Sequence, residues 1–162
     1  MRLAIISDTH LPRGGRALPP ACVEQLRAAD LILHAGDFME LAVLEDLQAL
    51  GPTVCAVRGN VDSAELQARL PLTRVVAAEG VKIAMVHDAG PSDRRLDRLR
   101  RRFPDADAVV FGHSHIPLLE RDAGFTIFNP GSPTERRRAP HHTMGVATVD
   151  HGAVTFRIIR LD

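Results

Sequence analysis

An α/β fold built on mixed sheets is predicted by two features of this 162-residue sequence. Short apolar runs alternate with helical patterns from residue 3 to residue 112, and the last third changes to strand–turn–strand. The alternation asks for largely parallel strands joined by helices. The hairpin signals add antiparallel strands. Two packed sheets flanked by helices satisfy both. The length suits a single domain, 1–162, with a full core.

The elements follow in order. "LAIIS" (3–7) is a buried strand. "PACVEQLRAA" (20–29) is helical, and "LILHA" (31–35) is the next strand. "LAVLEDLQAL" (41–50) is a helix, "TVCAV" (53–57) a strand and "SAELQARL" (63–70) a helix. "RVVAAEGVKIAMVH" carries a Glu79-Gly80 turn between two strands. "SDRRLDRLRRRF" (92–103) places Leu96, Leu99 and Phe103 at i, i+3 and i+7, a helical core stripe that leaves the arginines on the solvated sides. "AVVFG" (108–112) is a strand. Turns near Ala123-Gly124 and His151-Gly152 divide the remaining strands. "RGGRALPP" (13–20) and "GSPTERRRAP" (131–140) read as mobile loops.

Composition excludes several classes. Hydrophobic residues make up 45% and charged residues 25%, as in soluble globular proteins. No apolar run reaches the eighteen or so residues of a membrane span, and Asp8 interrupts the first run too early for a signal peptide. Formal net charge is +0, so no global field attracts nucleic acid. The two cysteines, Cys22 and Cys55, suggest no disulfide framework, which fits a reducing cytoplasm. A homo-oligomer is compatible with the sequence.

The chemistry is concentrated at strand ends. After "LAIIS" come Asp8 and His10; after "LILHAG", Asp37; after "TVCAVRG", Asn60. "VKIAMV" ends in His87, and "AVVFG" runs into "HSH", His113 and His115. Ligands of open α/β sheets bind outside the carboxyl ends of the strands. Gathered there, these seven side chains form a mixed nitrogen and oxygen set suited to Mn²⁺, Fe or Zn²⁺ rather than Ca²⁺. Seven ligands exceed one ion and suit two, with Asp37 as the natural bridge. Gly36, Gly59 and Gly112, each preceding a ligand, allow close backbone approach.

"DTH", "GD", "GNVD", the His87 motif and "GHSH", in this order, resemble the calcineurin-like metallophosphoesterases, and "NPGS" (129–132) is similar to their smallest branch. That branch includes bacterial phosphodiesterases and the retromer subunit that works as a scaffold. The resemblance implies a four-layer α/β/β/α sandwich. It also implies that Asp8, His10, Asp37 and His115 hold one metal while Asp37, Asn60, His87 and His113 hold the other. Two divalent ions are expected, Mn²⁺ first, with Fe, Zn²⁺ or Ni²⁺ as alternatives. Two departures stand out: Ser114 replaces the common threonine, and Val61 occupies the place of the histidine that donates a proton to the leaving group. Valine does no proton chemistry, and Asp62 lacks the imidazole it would orient.

The expected function is therefore metal-dependent hydrolysis of a small phosphodiester or nucleotide by a hydroxide bridging two ions. Asn60 and Asp62 are the catalytic residues expected besides the metals. The alternatives are a metal-binding scaffold like the retromer subunit, or a phosphomonoesterase with a displaced acid such as His141. His34 reads as a core or outer imidazole, His141 and His142 as loop residues, and His151 as exposed. "NPGS" reads as a turn near the site, with Arg136, Arg137 and Arg138 able to contact a substrate phosphate.

Overall fold

Leu3 and Ile5 point to one side of the first strand, Ala4 and Ile6 to the other, and all four are fully buried. A strand apolar on both faces must be covered on both faces. The computed structural model describes residues 1–162 and shows how this is done. The elements are β1 (Arg2–Ile6), α1 (Pro20–Arg27), β2 (Leu31–His34), α2 (Leu41–Gln48), β3 (Thr53–Ala56), α3 (Ala64–Arg69), β4 (Thr73–Ala78), β5 (Val81–Val86), α4 (Arg95–Arg102), β6 (Ala108–Val110), β7 (Leu118–Asp122), β8 (Phe125–Asn129), β9 (Thr143–Asp150) and β10 (Ala153–Arg160).

They form two five-stranded sheets, in the orders β10-β9-β1-β2-β3 and β4-β5-β6-β8-β7. β1, β2 and β3 are parallel, in a register that puts Ile5 beside Leu33 and Leu33 beside Cys55. β5, β6 and β8 are parallel in the other sheet, with Met85 beside Val110. The remaining strands, β4, β7, β9 and β10, join antiparallel. Leu3, Ile5, Ile83, Met85, Val110 and Phe128 belong to the core between the sheets. Ala4, Ile6 and Ile32 pack with Cys22, Leu26, Val43, Leu47 and Leu66 of the first three helices. Val109 and Phe111 pack with Leu96 and Leu99 of α4. The four layers expected from the family resemblance are present.

The sequence misplaces some element ends. The helix expected over 63–70 starts at Ala64, because Ser63 caps it: its Oγ accepts from the Leu66 N–H at 3.3 Å. The one expected over 92–103 starts at Arg95, because Arg94 has a left-handed backbone with φ 47°. The arginines of α4 are also less free than a solvated face implies. Arg95 lies over the Phe111 ring and Arg100 over the Phe125 ring. Arg98 donates to the carbonyls of Ala89, Pro91 and Asp93.

The expectation for 131–140 is corrected in part. Gly131, Ser132, Pro133 and Thr134 are buried, whereas Arg136, Arg137 and Arg138 are exposed. Ser132 Oγ donates to the Asp8 carbonyl at 2.7 Å and Thr134 Oγ1 to the Thr9 carbonyl at 2.5 Å. Composition marks a loop here, but those hydrogen bonds, to residues more than a hundred positions away, fasten half of it.

Candidate metal centre

Parallel strands deliver their carboxyl ends to one rim. Asp8 and His10 follow β1, Asp37 follows β2, Asn60 follows β3, His87 follows β5, and His113 and His115 follow β6. The seven side chains meet there in two adjoining groups. Asp8, His10 and His115 bring ligand atoms within 4.8 Å of one another, and so do Asp37, His87 and His113. Asn60 Oδ1 completes the second group, 3.0 Å from both His87 Nε2 and His113 Nδ1. Asp37 joins the two: its Oδ2 lies 3.2 Å from His10 Nε2 and 3.2 Å from His87 Nε2.

The backbone is bent to achieve this. Asp8, His10, Asp37, His113 and His115 all have positive φ, between 46° and 68°. Such conformations are uncommon outside glycine, although Asp and His tolerate them best. Their concentration at one rim is the pattern of strain held by its surroundings. Close approach needs glycine at two points. A Cβ on Gly59 would sit 2.0 Å from Asp37 Oδ1, and one on Gly112 would sit 1.9 Å from Ser7 Oγ and 2.7 Å from Asp8 Oδ2.

Four of the candidate ligands are oriented from behind. His87 Nδ1 hydrogen-bonds to the Ala35 carbonyl at 2.7 Å, and His115 Nδ1 to the Glu135 carbonyl, which turns both Nε2 atoms into the cluster. The His113 N–H donates to Asp8 Oδ2 at 3.0 Å, leaving Oδ1 to the cluster. The Val61 N–H donates to Asp37 Oδ1 at 3.0 Å. Asp62 is buried and accepts the N–H groups of Met39 on Oδ1 and of Gly59 and Asp37 on Oδ2. It therefore clamps together the loops bearing Asp37 and Asn60.

The electrostatics follow from this crowding. Burial works against the charged form of His10, yet the carboxylates of Asp37 and Asp8 overcome it and raise the imidazole to about 9. His87 is raised above 6.5 for the same reason, mainly by Asp37. Asp37, although buried, is held well below the usual carboxylate range by His10 and His87. Burial keeps His115 below 6.5.

Asp8 Oδ1, His10 Nε2 and His115 Nε2 are buried without a hydrogen-bond partner. Leaving such atoms unsatisfied is unfavourable. Nitrogen and oxygen donors directed at one point fit a borderline divalent cation.

Some residues around the site are not signalled by the sequence. Glu135 Oε2 stands 3.1 Å from His10 Nδ1, outside hydrogen-bond geometry, and 3.2 Å from Arg16 Nη1. No motif marks it, since it lies 125 residues from His10 in an Arg-rich loop. Asn129 of "NPGS" donates to the Gly112 carbonyl at 2.9 Å and to Ser114 Oγ at 3.1 Å, so this turn supports the "GHSH" loop.

His34 is fully buried, between Thr9 Oγ1 and the Gly36 N–H, in keeping with a core imidazole. His141 and His142 face the Asp162 carboxylate at 3.6 and 2.9 Å, and His151 is exposed. Arg137 Nη1 reaches the His113 carbonyl at 3.5 Å, and Arg136 bonds the Ala139 carbonyl.

A sandwich with two His/carboxylate clusters at its strand ends defines a metallohydrolase class. The chain belongs to the calcineurin-like phosphoesterase superfamily, whose domain matches residues 1–152. It is 32% identical, over 99% of its length and 92% of the relative's, to a protein of Methanothermobacter thermautotrophicus named "Probable metallophosphoesterase". A phosphodiesterase of Methanocaldococcus jannaschii is 24% identical over 81% of this chain and 83% of its own. Among solved structures, wild-type Vps29 of Entamoeba histolytica complexed with Zn²⁺ matches with a TM-score of 0.79 over the whole of both chains at 21% identity, a likeness of fold. The family uses divalent metals, and the two groups described above could hold them.

Proposed function

We propose that this protein is a phosphodiesterase that works with two divalent cations, Mn²⁺ first among them. Asp8, His10, Asp37 and His115 would hold one; Asp37, Asn60, His87 and His113 the other. The observation that carries this reading is the Asp37 carboxylate, 3.2 Å from an imidazole nitrogen of each group. When bound, the two ions would lower the pKa of water so that it serves as nucleophile at neutral pH, and would supply positive charge to the phosphoryl group.

The chain's own groups do the rest. Asn60 faces both His87 and His113 through Oδ1, which leaves its amide N–H groups to donate to a phosphoryl oxygen. Asp62 holds the loops in register. Val61, 40% exposed, offers no proton to a leaving group. Diesters with good leaving groups need that proton least, so a small phosphodiester or nucleotide is the proposed substrate. Two free cysteines support a reducing, cytoplasmic setting, and no helix is long and apolar enough to cross a membrane.

A metal-binding scaffold draws on two exposed apolar residues, Val61 and Ile116, beside the clusters. Metal content measured together with activity on an aryl phosphodiester separates the two readings. Chelation is expected to abolish hydrolysis and added Mn²⁺ to restore it. A protein that binds both ions yet cleaves no diester is the scaffold.

A further inference from the structure

A cleft of about 230 Å³ shares Asn60 and His87 with the second cluster. Its other lining includes Arg58, Leu72, Asp88 and Arg102. Four arginines of the chain pair with a carboxylate: Arg16 with Glu135, Arg69 with Glu45, Arg94 with Asp97 and Arg100 with Asp122. The two arginines of the cleft have none. Arg58 is fixed by backbone groups, its N–H donating to the Pro71 carbonyl at 3.0 Å and its Nη1 to the Gln67 carbonyl at 3.1 Å. Its Nε is buried with no acceptor. Arg102 is exposed; its guanidinium lies over the Phe103 ring and makes no ion pair or hydrogen bond. Asp88 spends one oxygen on the Gly90 N–H at 2.7 Å.

Two cations without carboxylate partners, in one cleft that opens onto a phosphoryl site, suit a phosphate oxyanion. We infer that the cleft is an anion subsite in which Arg58 and Arg102 take a second phosphate of the substrate. The scissile diester lies meanwhile at the two clusters; the inference thus rests on the phosphodiesterase reading. The substrate class is then a nucleotide diester that carries a further phosphate. Leu72 gives the intervening sugar an apolar contact. The cleft is below the roughly 300 Å³ at which pockets for whole small molecules begin, so it takes a phosphate with its sugar rather than another nucleoside.

The test compares two chromogenic diesters, the p-nitrophenyl ester of thymidine 5′-phosphate with and without a 3′-phosphate. The 3′-phosphate is expected to raise kcat/KM roughly tenfold, through KM, as charge-assisted hydrogen bonds do. The preference should shrink as salt rises. It should fall toward one in Arg58→Gln and in Arg102→Gln, and be partly kept in Arg58→Lys. Arg102 is exposed at a helix end, so its variant carries the test should Arg58→Gln fail to fold. Equal kcat/KM for the two diesters overturns the subsite and leaves the phosphodiesterase reading standing. Hydrolysis of neither overturns the phosphodiesterase reading, and calorimetry with thymidine 3′,5′-bisphosphate against the 5′-monophosphate then decides the subsite. Tighter binding of the bisphosphate, lost in Arg102→Gln, supports it; equal binding overturns it.

Discussion

Asp37 concentrates the chemistry of the site in one side chain. Its Oδ2 faces both clusters while its Oδ1 is tied to the Val61 N–H. Replacing Asp37 by Ala should therefore lose both ions, whereas His10→Ala should lose mainly one; metal content of the purified variants is the measurement, and two ions retained in Asp37→Ala would refute the bridge. Protons follow from the same contacts. With His10 raised from 6.5 to about 9, the metal-free protein holds that proton at pH 7. Metal loading must expel it, so affinity rises with pH toward 9. The sign for stability is opposite: the His10 ion pair supports the metal-free fold fully below 6.5 and fades as pH rises through about 9. Calorimetric titration with Mn²⁺ in buffers of different ionisation enthalpy should show about one proton or more released per chain at pH 7; no release would mean that the imidazoles are already neutral. On the proposed function, Val61 is the residue that would set leaving-group preference. Val61→His should raise kcat/KM on alkyl monoesters, but by less than the roughly 10²–10⁴-fold of an effective general acid. Asp62 already accepts three backbone N–H groups, so it has little left to orient the new imidazole. A wild type that cleaves alkyl monoesters as fast as aryl diesters would show that another residue supplies the proton.

The loops matter more than the regular elements they connect. Asp62 joins the loop after β2 to the loop after β3, and Ser132 and Thr134 join the 131–140 loop to the residues after β1. Asp62→Ala leaves three N–H groups without their acceptor. The loss should be about 3 kcal/mol, or a fall in Tm of roughly 6–12 °C for a chain of this size. A Tm shift within 2 °C would mean that the clamp is dispensable. At this scale the strands were legible from their apolar runs, and the Leu96, Leu99, Phe103 stripe correctly marked the buried side of α4. The partners of the arginines were not legible, because Phe111, Phe125 and Asp122 come to α4 from other elements.

In the molecule as a whole, three apolar cores hold the fold, of 17, 14 and 9 buried residues. None of them includes a metal-ligand candidate. Chelation should accordingly leave the far-UV circular dichroism unchanged and lower stability only by the linkage term for lost ligand, about 3–4 kcal/mol per ion at hundred- to thousandfold saturation. Loss of secondary structure on chelation would instead make the metals part of the folding nucleus. The six parallel strands, three in each sheet, explain the site's location, since their carboxyl ends open on a common rim.

The identity of the seven clustered side chains was legible in the sequence: each follows an apolar run that reads as a strand, and ligands of such sheets gather at the strands' carboxyl ends. The sequence also sets glycines at 59 and 112 beside two of them, but that a side chain there would collide with Asp37 or Ser7 is a matter of tertiary packing. Which side chains stand behind the ligands was decided by tertiary structure. Glu135 reaches His10 across 125 residues and Ser132 reaches Asp8 from a loop with no periodicity to read, while Asn129 reaches Gly112 from the end of β8. The role of Asp62 and the pairing of Arg58 with Arg102 at one cleft were decided there too. Strand-end chemistry follows from local burial, which a sequence encodes in its hydrophobic pattern. The supporting contacts depend on where distant loops end after the sheets pack, and no local pattern encodes that.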